Sequence, residues 1–213
     1  MEFLKKYLTK KRSNRDRKNF EKSIDKSIII LKEEVSMFIT VIEQTEQKFG
    51  KSDKAKLMVS SIQFLLLSLA DIMILIKYFT LPNNNENDKN LFARTLAIHY
   101  YEFFQDAGKI LGNELEEQLS LLKNKEVNNE FSLVKNTFKN IRKQYVQMVK
   151  PLRMKTAAHK ERDIAIQYKL IESVNIDDME KLSIQFFLFA LLFIKFKTSF
   201  QRKSIERAKN DSN

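Results

Sequence analysis

Two prolines and three glycines are all that punctuate 213 residues. These are the strongest local breakers of regular structure, and turn-rich β architectures need them at short intervals. A chain with so few, and rich in Lys, Glu, Leu and Ile, is suited to long helices. Hydrophobic residues make up 43%, enough for a core and too many for a disordered chain. The length matches one domain.

Apolar residues recur at helical spacing almost throughout. Phe20, Ile24, Ile28, Leu31, Val35, Phe38, Ile42 and Phe49 mark one helix face, with Gly50 as its C-cap. A second helix, from about Lys54 to Phe79, is apolar nearly all round and is expected to be the central, most buried one. Leu81-Pro82-Asn83-Asn84-Asn85 ends it. A third stripe runs Phe92, Leu96, His99, Phe103, Ala107, Ile110, starting near Asp88 and closed by Gly112-Asn113. Glu114–Lys125 can add a short amphipathic helix. Asn128-Asn129 precedes a fourth stripe, Phe131, Val134, Phe138, Ile141, Tyr145 and Met148.

Pro151 lacks an N–H and its ring clashes with the preceding turn, so a kink or end is expected near Lys150, with a new segment over Leu152–Ile171. Asp177-Asp178-Met179-Glu180 resembles a capping box before the last stripe: Met179, Leu182, Phe186, Phe189, Phe193, Phe196, Phe200. Short connections favour antiparallel neighbours. The expected fold is all-α, an up-and-down antiparallel bundle of four to six helices. Residues 1–18 are expected as a basic arm, 19–207 as the single bundle domain and 208–213 as a disordered tail.

The formal net charge is +11, which favours an anionic partner such as nucleic acid or a membrane surface. Residues 1–18 hold eight Lys/Arg against Glu2 and Asp16, and Lys195 to Lys209 holds six against Glu206. Met1–Leu8 is too short and too charged for a secretory signal. Leu57–Ile76 is interrupted by Gln63 and Asp71, and a mid-span Asp costs roughly 2.5–3.5 kcal/mol on the insertion scale. Phe186–Ile194 falls short of the ~20 residues needed to span. Both are expected as core helices, with no integral membrane segment. The absence of Cys removes disulfides, thiolate metal sites and thiol nucleophiles, and fits a reducing cytoplasm. Two histidines make a His-rich zinc site implausible, and no metal or cofactor is expected. There is no phosphate-binding Gly loop, no Gly-x-Ser-x-Gly elbow and no pair of Glu-x-x-His motifs.

Two Arg–His pairs remain. In the first, Arg153 is followed by Lys155, His159, Lys160 and Arg162. Lying just after Pro151, it is expected at a helix start, where free N–H groups and the dipole attract anions. The other reading is an ordinary solvated patch. His can move a proton near neutral pH, Arg can hold a phosphate, and RNA brings its own 2′-hydroxyl nucleophile. Six residues of straight helix turn the pair ~120° apart. Sharing one phosphate therefore needs Arg153 off the regular helix, or two subunits pooling residues. The second pair, Arg94 and His99 with Tyr101 behind, lies inside a continuous stripe. There His99 is expected as a buried, hydrogen-bonded core residue, ~140° from Arg94.

Arg153 and His159 match the Arg-x(4–6)-His signature of the HEPN superfamily, which the chain resembles. The string Leu152-Arg153-Met154-Lys155-Thr156-Ala157-Ala158-His159 looks like its helix-start form, and the helix carrying His99-Tyr100-Tyr101-Glu102 looks like a companion helix. The resemblance implies a dimeric, metal-independent ribonuclease, with Arg and His of two subunits facing a shared cleft. Lys155, Lys160 and Arg162 would hold RNA, and Arg94, His99 and Tyr101 form a second-choice set. It also implies toxin–antitoxin or phage-defence partners. Met154 departs from the family's often polar residue, and Glu161 stands where some toxin members carry Tyr. A noncatalytic module binding RNA or a protein partner stays open, as does a peripheral membrane protein with its basic arm near anionic lipid.

Overall fold

The computed structural model describes residues 14–49, 53–80, 85–116, 119, 124–156 and 174–210. They form five α-helices: α1 Asn14–Phe49, α2 Asp53–Thr80, α3 Glu86–Lys109, α4 Lys125–Thr156 and α5 Ile176–Asn210. A π-helical turn at Ile110–Glu114 extends α3. The described residues contain no strand.

Asparagines set three of the helix starts. Asn85 accepts from the Asp88 amide at 2.9 Å, Asn124 from the Val127 amide at 3.1 Å and Asn175 from the Asp178 amide at 3.1 Å. Each satisfies a donor that the first turn leaves free. The sequence signals at Asn128-Asn129 and at Asp177–Glu180 therefore fall inside helices, the first about one turn and the second two residues past the true caps. Gly112 does not close α3 either, because the backbone winds on through it as the π-helical turn.

Consecutive helices pack on one another, and α5 also meets α1, α2 and α3. Its stripe is wholly buried, from Met179 and Leu182 through Phe186, Phe189, Phe193, Phe196 and Phe200. Phe186 stacks within 4.3 Å of the Tyr100 ring centre and within 5.5 Å of Phe104, while Phe103 meets it edge-on at 5.3 Å. Along α4, Phe131 contacts Phe196 and Phe138 contacts Phe189, so contacts progress in opposite senses on the two helices. Gly108 lets α3 approach α4 closely: a Cβ there would stand 3.2 Å from the Arg142 guanidinium.

By length and composition alone, Val59–Thr80 in α2 and Ile176–Lys203 in α5 could each cross a membrane. In the fold, 50% of the α2 window and 61% of the α5 window is buried, so α5 rather than α2 is the deeper helix. The expectation of a central α2 fails because Phe64, Leu67 and Tyr78 face outward.

Two polar contacts are built into this core. The Ser183 hydroxyl donates to the Met179 carbonyl at 2.8 Å, leaving its lone pair for the Tyr100 hydroxyl at 2.9 Å. Burial pushes the Tyr100 pKa well up. Lys197, with its side chain fully buried, pairs with Glu34 of α1, which is 13% exposed. Burial pulls the Lys197 ammonium down to about 8, while the carboxylate against it acts in the opposite direction.

Removing one partner of such a pair strands a charge. Lys197→Met is expected to cost about 3–5 kcal/mol at neutral pH, and adding Glu34→Leu should recover most of it. Between about 8 and the ordinary 10.5 the unfolded chain holds the extra proton. Stability of the parent relative to the double variant should therefore rise with pH across that window. Denaturant unfolding of the three proteins checks both; a double variant as unstable as the single would rule out the stranded-charge account.

Candidate functional site

Arg153 does not sit at a helix start. It lies on the last described turn of α4, 28 residues (153 − 125) after the helix begins. The attraction of a helix N-terminus for anions fades within one turn, so that of α4 contributes nothing at Arg153. Pro151 fails to end the helix because burial overrides it. Val149 and Leu152 are buried in the core while the Pro151 ring faces solvent, where a lost backbone hydrogen bond is cheapest. The expected new segment over Leu152–Ile171 is thus helical in the same α4 up to Thr156, and its remainder lies outside the described residues. His159, Lys160 and Arg162 also lie outside them, as does the side chain of Lys155.

The surroundings of Arg153 are mixed. Its Nη2 stands 3.8 Å from Glu102 Oε1, too far for a hydrogen bond but close enough for ionic attraction. The side chains are 37% and 50% exposed, so water screens the pair to roughly 0–1 kcal/mol. The Nε of Arg153 is buried and has no hydrogen-bond partner among the described residues. The Nε of Arg94 is in the same condition. The other arginines with described side chains, Arg142 and Arg202, carry no such buried, unmet nitrogen. The two arginines that precede a histidine thus each keep an N–H donor that the fold leaves unused. A guanidinium with a free donor and partial exposure suits a phosphate or carboxylate oxygen.

His99 is only partly buried, which overturns its expected place in the core. Its neighbour Tyr100 takes that position, and the buried face of α3 runs Ala93, Leu96, Ala97, Tyr100, Phe103, Phe104 and Ala107. Arg94 and His99 flank the solvent side of α3, ~140° apart on a regular helix. Tyr101, partly buried against the core, lies only ~20° round the axis from Arg94. Arg94 and Tyr101 share an edge of α3, and His99 is on the other. Glu102 had no signal in the sequence, because its partner is 51 residues (153 − 102) away on another helix.

Among the described residues, no group of three or more His, Asp or Glu is placed to hold a metal ion. Comparisons with protein-family models, with curated proteins and with solved structures give no match.

Glu102 competes with any anion for Arg153. Glu102→Gln is expected to tighten binding of a single-stranded RNA oligonucleotide by up to about fivefold at low salt, with fold stability changed by less than about 1 kcal/mol. Fluorescence anisotropy with thermal melting measures both. Weaker binding by the variant would mean that the carboxylate positions Arg153 rather than competing for it.

Proposed function

We propose that the protein is a metal-independent, HEPN-type endoribonuclease of the cytoplasm, with Arg153 and His159 as its working pair. The observation that carries this reading is the unmet buried Nε donor on the arginine of both Arg–His pairs. The net charge of +11 supplies long-range attraction for a polyanion.

In this reading Arg153 releases Glu102 and takes two oxygens of the scissile phosphate, stabilising the charge that develops on them. His159 takes the proton of the 2′-hydroxyl or supplies one to the leaving 5′-oxygen. The attacking oxygen belongs to the RNA, so the products carry a 2′,3′-cyclic phosphate and a 5′-hydroxyl. Lys155, Lys160 and Arg162 hold flanking phosphates, and Arg94 with Tyr101 can extend the track along α3. The helices alternate up and down the bundle, and two copies meet about a two-fold axis to pool Arg and His across one cleft. An antitoxin or another defence protein would be the natural partner, and no helix serves as an integral membrane segment.

A second reading, a noncatalytic module holding RNA or a protein partner, draws on one specific observation. Arg153 is engaged by Glu102 and stands on the last described turn of α4, far from that helix's own N-terminus.

Purified protein incubated with mixed RNA in EDTA separates the two. Cleavage is expected to survive the chelator, and His159→Ala is expected to abolish it, a loss of at least about 100-fold, while RNA binding persists. Arg153→Lys should also slow it, since an ammonium lacks the planar fork. If His159→Ala cleaves as fast as the parent, or the parent cleaves no RNA at all, the ribonuclease reading falls and the binding module replaces it.

A further inference from the structure

A second polar site lies between α4 and α5, roughly 35 Å along α4 from Arg153. It is a cavity of about 420 Å³ lined by Glu126, Glu130, Lys195, Thr198, Ser199 and Arg202. Two oxygens in it are buried with no hydrogen-bond partner among the described residues, Glu130 Oε2 and Ser199 Oγ. Ser199 is 8% exposed. The neighbouring Thr198 hydroxyl donates to the Ile194 carbonyl one turn back, the usual outlet for a helical hydroxyl, but Ser199 does not use that outlet. Buried polar atoms are nearly always satisfied, so two orphans in one cavity of ligand size call for an explanation.

We propose that this cavity binds a small guanidinium compound. A carboxylate oxygen can only accept, and a serine hydroxyl accepts as well, so the floor of the site calls for N–H donors with positive charge. A planar guanidinium can meet Glu130 through two parallel N–H bonds and turn a third toward Ser199. The other Glu130 oxygen is held at 3.2 Å by Lys195, whose side chain is 71% exposed and free to swing away. Arg202, 3.4 Å from Glu126, stands at the mouth about one helical turn beyond Ser199. It offers a resting place for an anionic group at the far end of the ligand. L-arginine carries both features, and agmatine carries the guanidinium without the carboxylate. The site shares no residue with the proposed ribonuclease pair, so either assignment can fail without the other.

Titration calorimetry on the full chain with agmatine and with L-arginine tests the assignment. Both should bind, and L-arginine should bind more tightly. Glu130→Gln should weaken agmatine by about tenfold or more, and Ser199→Ala by about fivefold. Arg202→Ala should weaken L-arginine, while agmatine, which has no carboxylate to lose, should bind no more weakly than to the parent. Circular dichroism confirms that each variant is folded; should Glu130→Gln fail to fold, Ser199→Ala carries the test alone. No heat from either compound at millimolar concentration, or agmatine binding unchanged in the carboxylate or hydroxyl variant, overturns the proposal.

Discussion

Everything in this bundle leans on the phenylalanine series of α5. Phe186, Phe189, Phe193, Phe196 and Phe200 fall on one face because they recur at three and four residues, and all five are buried. The helix that carries them touches each of the other four. Aromatic rings bury large apolar areas, and their edge-to-face and offset contacts add about 0.5–1.5 kcal/mol per pair beyond that burial. Truncating one such ring typically costs 3–5 kcal/mol, a sizeable part of the net stability of a single domain. The same crowding fixes the polar exceptions. Lys197 falls within the buried arc of α5 and survives there because Glu34 of α1 reaches it.

How much of this could be read from the sequence depended on whether the signal was local. The α4 and α5 stripes were legible because apolar side chains repeat there over many turns with no competing pattern. On α3 the apolar period alone leaves one residue out of place. His99, Tyr100 and Tyr101 are consecutive and all amphipathic, so a 3.6-residue period leaves the register open by one position, and packing against Phe186 chose Tyr100. Pro151 was read correctly as a residue that cannot donate, but the burial of Val149 and Leu152 on either side outweighed it. The sequence signals lie a few residues past the caps because asparagine or aspartate, either of which can cap, occurs both at and just inside the helix starts.

The functional groups divide along the same line. Arg153 and Arg94 stood out in the sequence because a histidine follows each at short range. That the Nε of each is buried and unmet belongs to the tertiary structure and had no sequence signal. Glu102 beside Arg153, and Glu130 beside Ser199, depend on pairing between helices far apart in sequence. The anion-attracting helix start expected at Arg153 fell with the helix break it depended on. What remains at that end of α4 is a guanidinium with a competing carboxylate and a spare donor.

That spare donor gives the most direct test. Arginine Nε–H resonances can be followed by NMR while the protein is titrated with a 2′-O-methylated RNA, which lacks the nucleophile and cannot be cleaved. The account expects the Arg94 and Arg153 resonances to shift and become protected from exchange, while those of Arg142 and Arg202 stay in place. Shifts confined to Arg142 and Arg202, or none at saturating RNA, would contradict it.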